Sequence, residues 1–134
     1  MRAIKYEMFS AFHKEMLTVT SLELHESGDV VARHDDDNRR FGALVSHPSS
    51  GVFLREYTGL KDKNGIEIYE GDVIKLSRYW NDEYDVEISS VYFVLGCFRF
   101  AHKLVNKSDE LCIIANESKV IGNIHENPEL IKIK

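Results

Sequence analysis

The chain has 134 residues, of which 43% are hydrophobic and 29% are charged, as in an ordinary soluble globular domain. Its 17 basic and 22 acidic residues give a net charge of −5. This charge argues against broad nucleic-acid binding, which calls for a basic surface. No apolar run has the length of a membrane span, and the N-terminal segment lacks the apolar stretch of a signal peptide. We therefore expect a cytoplasmic protein without a membrane partner.

The N-terminal part of the chain shows the alternation of apolar and polar residues that predicts β-strands. Residues 17 and 19 are apolar, and so are residues 22 and 24, so the two pairs fall on opposite faces unless a β-bulge near Ser21 realigns them. Polar loops are expected at residues 34–40 and 47–51. The predicted strands cover residues 2–8, 16–24, 30–32 and 52–57. Residues 1–56 are accordingly predicted to form a β-rich subdomain.

Two tight turns are predicted between residues 58 and 76. Asn64-Gly65 supplies residues that tolerate a positive φ, and Glu70-Gly71-Asp72 forms a second turn before the strand that starts at Val73. The residues expected to specify the fold through these turns are Gly59, Asp62, Asn64, Gly65, Gly71 and Asp72.

The C-terminal part continues the pattern of short strands. Residues 71–124 hold about five of them, separated by turns, and no amphipathic helix of three turns is visible. The apolar run 111–115 fits a strand or a short helix, and the strand is favoured; residues 108–110 share this ambiguity. Pro128 is expected to open a single helical turn. The predicted fold is mainly β, with an SH3-like β-barrel over residues 57–134, the two parts being either separate or packed as one unit.

The sequence contains no complete catalytic or metal-binding motif. The acidic run after His34 lacks the glycine and glutamate spacing of an EF-hand loop. The segment between Gly59 and Gly65 lacks the lysine and hydroxyl residue that follow the second glycine of a phosphate-binding loop. Cys97 and Cys112 lie among apolar residues and fit inert core thiols. We expect no enzyme activity, cofactor or metal.

Three aromatic residues crowd the loop between two predicted strands. Tyr79, Trp80 and Tyr84 are the candidate interface residues, because aromatic side chains are the usual anchors of protein interfaces. They fit capping of a barrel end, a protein interface or stacking on nucleic-acid bases. The acidic residues beside them oppose the last of these.

The segment from Tyr57 to Ile74, YTGLKDKNGIEIYEGDVI, closely resembles the signature of the YopX family of phage and prophage proteins. The segment from Val120 to Leu130, VIGNIHENPEL, is similar to that family's ending, and residues 2–6 and 14–16 are similar to its start. The resemblance implies a small protein of bacterial phages and prophages and brings no catalytic residue with it.

These observations lead to one functional hypothesis and one alternative. The hypothesis is a non-enzymatic phage or prophage protein in the cytoplasm of a bacterial host, acting by protein–protein interaction with an unidentified partner and by forming a homo-oligomer. The alternative is an accessory nucleic-acid-binding protein in phage replication or regulation, which the net charge disfavours.

Overall fold

The computed structural model describes residues 3–12, 14–34, 43–46, 51–80, 83–94, 96–102 and 107–131. The strands in these ranges are β1 (Tyr6–Ser10), β2 (Glu15–Leu24), β3 (Val30–His34), β4 (Ala43–Ser46), β5 (Val52–Lys61), β6 (Glu67–Tyr69), β7 (Asp72–Trp80), β8 (Glu83–Val94), β9 (Cys97–His102), β10 (Lys107–Glu110) and β11 (Ser118–Asn123). A helical turn, α1 (Leu111–Ile114), and two 3₁₀ turns, Ala115–Glu117 and Pro128–Ile131, complete the fold. The predicted mainly β class is confirmed.

The first compact unit comprises residues Ala3–Glu56. Its strands pair antiparallel in the order β4-β3-β2-β1-β5. The register between β2 and β3 shifts between Val19 and Ser21, which confirms the predicted bulge. The shift leaves Leu17 and Val19 before it and Leu22 after it packed in one cluster, whereas Leu24 is 77% exposed. That cluster consists of the buried residues Met8, Ala32 and Val52 with Leu17, Val19, Leu22 and Leu54 packed against them.

The second unit begins at Tyr57, within β5. Its main sheet has five antiparallel strands in the order β10-β9-β8-β7-β11, while the second half of β5 pairs with β6. Its hydrophobic core contains Ile68, Ile74, Leu76, Val91, Phe98, Phe100, Leu111, Ile114 and Ala115. No pairing within the described ranges joins β10 to β11, so closure into an SH3-like barrel stays a prediction.

The strand predicted for residues 111–115 is wrong, because Leu111–Ile114 forms the helical turn α1 and a 3₁₀ turn follows. Leu111, Ile114 and Ala115 are all buried in the core. Their spacing of three and four residues places them on one side of a helix, whereas a strand would point Leu111 and Ile114 to opposite faces. Residues 107–110 form β10. The helical turn expected at Pro128 is confirmed.

Candidate functional site

The turn between β5 and β6 is held by the carboxylate of Asp62, which is 5% exposed. Its Oδ1 accepts hydrogen bonds from the backbone N–H groups of Asn64 at 2.8 Å and Ile66 at 2.9 Å. Its Oδ2 accepts a third, at 2.9 Å, from the N–H of Val120 in β11. The N–H of Lys63 also donates to the carbonyl of Ser118 at 2.9 Å. Asp62 therefore shapes its own turn and ties that turn to a strand 58 residues away.

The same hydrogen bonds determine the charge state of Asp62. Burial by itself raises the pKa of the carboxyl group. The N–H donors of Val120, Ile66 and Asn64, helped by the positive charge of Lys63, outweigh burial and hold the pKa below its ordinary value. The carboxylate thus stays ionised at neutral pH and serves as a structural acceptor.

The second turn joins β6 to β7 and contacts the C-terminal segment. Asp72 is buried, and its Oδ2 accepts a hydrogen bond of 2.8 Å from the N–H of Tyr69. The N–H of Gly71 donates to the carbonyl of Val91, and the carbonyl of Gly71 accepts from the N–H of Ile124. This turn connects three separate parts of the second unit.

The chain after β11 folds around Asn123. Its Oδ1 accepts hydrogen bonds from the N–H groups of His125 and Glu126, and its Nδ2 donates to Glu126 Oε1 at 2.8 Å. A Cβ atom placed on Gly122 would lie 2.6 Å from Asn127 Oδ1 and 2.8 Å from Leu130 Cδ1. The segment therefore packs so closely on Gly122 that a side chain there does not fit without movement.

Five of the six residues predicted to specify the turns lie at the two turns of the second unit, and the sixth, Gly59, does not. Gly59 lies inside β5, where the pairing with β6 shifts register. Gly65 has the predicted positive φ, 79°, and Gly71 in the second turn has φ of 86°. The hydrogen bonds from both turns to the C-terminal segment were not predicted, since a side-chain bond across 58 residues leaves no local sequence pattern.

The second candidate region is the hairpin of β7 and β8, where Tyr79 pairs with Tyr84 and Trp80 with Glu83. Tyr84 is 68% exposed and Val86 39% exposed. The side chains of Tyr79 and Trp80 lie outside what the structure describes. Neighbouring strand positions alternate between the two sides of a sheet, so the backbone register places Trp80 in line with Leu76 and Tyr79 on the other side with its partner Tyr84.

We call the side of the sheet that carries Lys119, Lys75, Ile88, Val86 and Tyr84 the outer face. Lys119 of β11 pairs with Lys75 of β7, which in turn pairs with Ile88 of β8. Both lysines are exposed, whereas Ile74 and Leu76, which flank Lys75, are buried in the core. The outer face was not predicted from the sequence. The alternation of Ile74, Lys75 and Leu76 does predict a strand with one buried and one exposed side.

Within the described ranges, no three His, Cys, Asp or Glu side chains are grouped to hold a metal ion. Residues 35–40, the acidic part of the loop weighed as an EF-hand, lie outside those ranges. Cys97 is a partly buried, reduced cysteine. Among the described helical segments, none is long and apolar enough to cross a bilayer.

Solved structures that match the chain over nearly its full length include one from Enterococcus faecalis and one from Bacillus subtilis. Protein EF1440 from Enterococcus faecalis superposes with a TM-score of 0.71 at 24% identity, covering 98% of this chain and 100% of that one. Protein yopX from Bacillus subtilis superposes with a TM-score of 0.68 at 18% identity, covering 96% and 98%. At these identities the likeness establishes a shared fold. The search of curated proteins finds no match.

A comparison with models of protein families identifies the family to which the chain is related. The model described as YopX protein matches residues 5–132, which is nearly the whole chain. The two longest segments that resemble that family, Tyr57 to Ile74 and Val120 to Leu130, are joined in the structure through Asp62 and Gly71. The chain therefore belongs to the YopX protein family.

Proposed function

We propose that this protein is a non-enzymatic phage or prophage protein that acts in the cytoplasm of its bacterial host through protein–protein contact, including self-association. The exposure of Tyr84 and Val86 supports this most. They occupy alternate positions of β8, hence one side of the sheet, and are 68% and 39% exposed. Apolar side chains exposed side by side are typical of contact surfaces, and tyrosine is among the residues enriched at their energetic centres.

The three aromatic candidates take different parts in this proposal. Tyr84, with Tyr79 opposite it in the register, is the anchor of the contact. Trp80 occupies a register position in line with the core residue Leu76, which favours capping of the core at the hairpin end. The proposal therefore assigns the interface role to Tyr84 and Tyr79 and the capping role to Trp80.

The experiment that tests the proposal compares alanine variants by sedimentation velocity and thermal melting. Tyr84→Ala is expected to weaken self-association by about 2 kcal/mol, the loss typical of a central anchor, with an unchanged melting temperature. Trp80→Ala is expected to cost about 3–5 kcal/mol of folding stability if the indole caps the core. If Trp80 instead anchors the interface, association weakens by about 2 kcal/mol and the fold stays cooperative.

Phe12→Ala is the matched control, because Phe12 is an aromatic residue with 86% exposure in the other unit. We expect that variant to associate like the wild type. A wild-type protein that stays monomeric at high micromolar concentration, and whose capture of partner proteins from induced cells is unchanged by Tyr84→Ala, would contradict the proposal. A salt-dependent mobility shift on mixed DNA and RNA would favour the nucleic-acid alternative instead.

A further inference from the structure

Two lysines of the outer face are paired with each other across adjacent strands. Lys119 lies directly opposite Lys75 in the ladder of β11 and β7, and both side chains are exposed. Like charges at directly opposite positions destabilise a sheet. Neither ammonium group forms an ion pair or hydrogen bond with any residue in the described part of the chain. An anionic partner would relieve this repulsion.

Across β7 and β8, the remaining positions of the outer face are apolar, aromatic or hydroxyl residues and include no acidic one. Further across the sheet, the register pairs Arg99 of β9 with Glu110 of β10 on the same side. From the lysine pair, the paired positions along β7 and β8 are Lys75 with Ile88, Ser77 with Val86, and Tyr79 with Tyr84. Glu87 belongs to the other side of the sheet, where it pairs with Leu76 and is buried. The outer face is therefore positive in a chain whose net charge is −5, so the remainder of the molecule is more negative than the whole.

We propose that the outer face docks an acidic surface of a second copy of this chain, so that self-association is head-to-tail. This inference rests on the proposed function and specifies its geometry. A symmetric contact centred on this face would bring the lysine pairs of two copies together, whereas a head-to-tail contact places each pair against the acidic remainder of the next copy. Tyr84 and Val86 supply the apolar part of the contact.

The test uses the double variant Lys75→Glu/Lys119→Glu in sedimentation velocity at low and high salt. Wild-type association is expected to weaken with salt, and the double variant is expected to associate at least tenfold more weakly at low salt. Lys14→Glu/Lys61→Glu is the matched control, because it makes the same change in net charge at two exposed positions that do not belong to the outer face. The control is expected to retain more association than the outer-face variant.

A mixing experiment separates the head-to-tail geometry from a symmetric one. The double variant keeps its acidic surface, so it is expected to bind wild-type protein through the wild-type lysine pair while failing to bind itself. Lys75→Glu alone places opposite charges across the ladder at Lys119, so it is expected to raise the melting temperature while weakening association. A loss of association together with higher stability cannot arise from misfolding.

The results of these experiments test the head-to-tail geometry separately from self-association itself. A dimer that forms equally well at all salt concentrations and in the double variant would overturn the head-to-tail inference and leave self-association standing. A monomeric wild type would overturn both. Binding of a fluorescein-labelled thymidine 15-mer that is lost in the double variant would reassign the outer face to nucleic acid and overturn the inference.

Discussion

The carboxylate of Asp62 accepts three backbone hydrogen bonds from two separate parts of the chain. An amide in its place keeps one acceptor oxygen and turns an NH₂ group toward the remaining N–H donor. Hydrogen bonds to a charged group contribute about 1.5–3 kcal/mol, and an unsatisfied buried donor costs about 1–3 kcal/mol. We therefore expect Asp62→Asn to lower the free energy of unfolding by about 1–3 kcal/mol in urea denaturation.

Glu26→Gln is the control for that measurement, since it removes one carboxylate from an exposed turn. An Asp62→Asn midpoint equal to that of Glu26→Gln would show that the three hydrogen bonds contribute nothing net to stability.

The lowered pKa of Asp62 also predicts how stability depends on pH. A group whose pKa is lower in the folded state stabilises the fold above its unfolded-state pKa, for which the ordinary value is 3.8. That contribution decreases as the pH falls below this value and is lost as the pH passes through the folded-state pKa. We expect the wild type to lose more stability than Asp62→Asn over this acid range, as measured by urea midpoints at a series of pH values. Parallel curves would contradict the assignment.

Gly65 offers a clean test of backbone strain. It has φ of 79°, and a Cβ atom added there meets nothing within 4 Å, so the cost of a side chain comes from the backbone alone. Gly65→Val is expected to destabilise by about 1–3 kcal/mol. Gly65→Asn is expected to cost less, because asparagine tolerates the left-handed region. Equal urea midpoints for the two variants would contradict this explanation.

Among the elements, β2 and α1 show why sequence patterns succeed in one place and fail in another. The bulge of β2 was predictable because its apolar residues occupy odd positions before Ser21 and even positions after it. Both sets can face the same side of the sheet only if one extra residue is inserted between them. The run 111–115 is too short for its length to decide between strand and helix. Its helical spacing becomes visible once the burial of Leu111, Ile114 and Ala115 is known.

Strand β8 shows a second limit of the sequence. The continuous apolar run 91–95 predicts a strand covered on both faces. Val91 is buried, yet Phe93 is 52% exposed while its ring packs edge-on against Phe98 at 5.0 Å between centroids. An apolar run shows that its residues are hydrophobic but does not show whether each of them is buried. Their exposure depends on which strands and loops surround the run. The pairing of Lys75 with Lys119 was missed because it depends on long-range register, although the local alternation already predicts that Lys75 faces away from the core.

The C-terminal segment gives a prediction for an element. Gly122→Ala is expected to displace the turn at Asn127 and Leu130, because the added methyl group would lie 2.6 Å from Asn127 Oδ1. Overpacking of this kind costs about 1–3 kcal/mol. Amide hydrogen exchange should show faster exchange at Asn127 and Leu130, with the β7–β8 pairing still protected. Unchanged exchange at both amides would mean that the segment adapts without cost.

For the whole molecule, the two units differ in the size of their described cores. The first unit buries Met8, Ala32 and Val52, whereas the second has a core cluster of nine buried residues. Because stability follows buried apolar area and local opening follows local packing, we expect slower amide exchange in β7 and β8 than in β2 and β3. Faster exchange in the second unit would contradict this ranking.

The bonds from Asp62 and Lys63 to β11 have a consequence for the solubility of the protein. β11 is the last strand in its sheet, and the backbone groups of Ser118 and Val120 that it does not share with β7 are already bonded to the β5–β6 turn. The unpaired backbone N–H and C=O groups of an edge strand can pair with a strand of another chain, and such pairing leads to aggregation. The turn blocks that route at β11. A variant that frees β11 is therefore expected to form insoluble β-structured material.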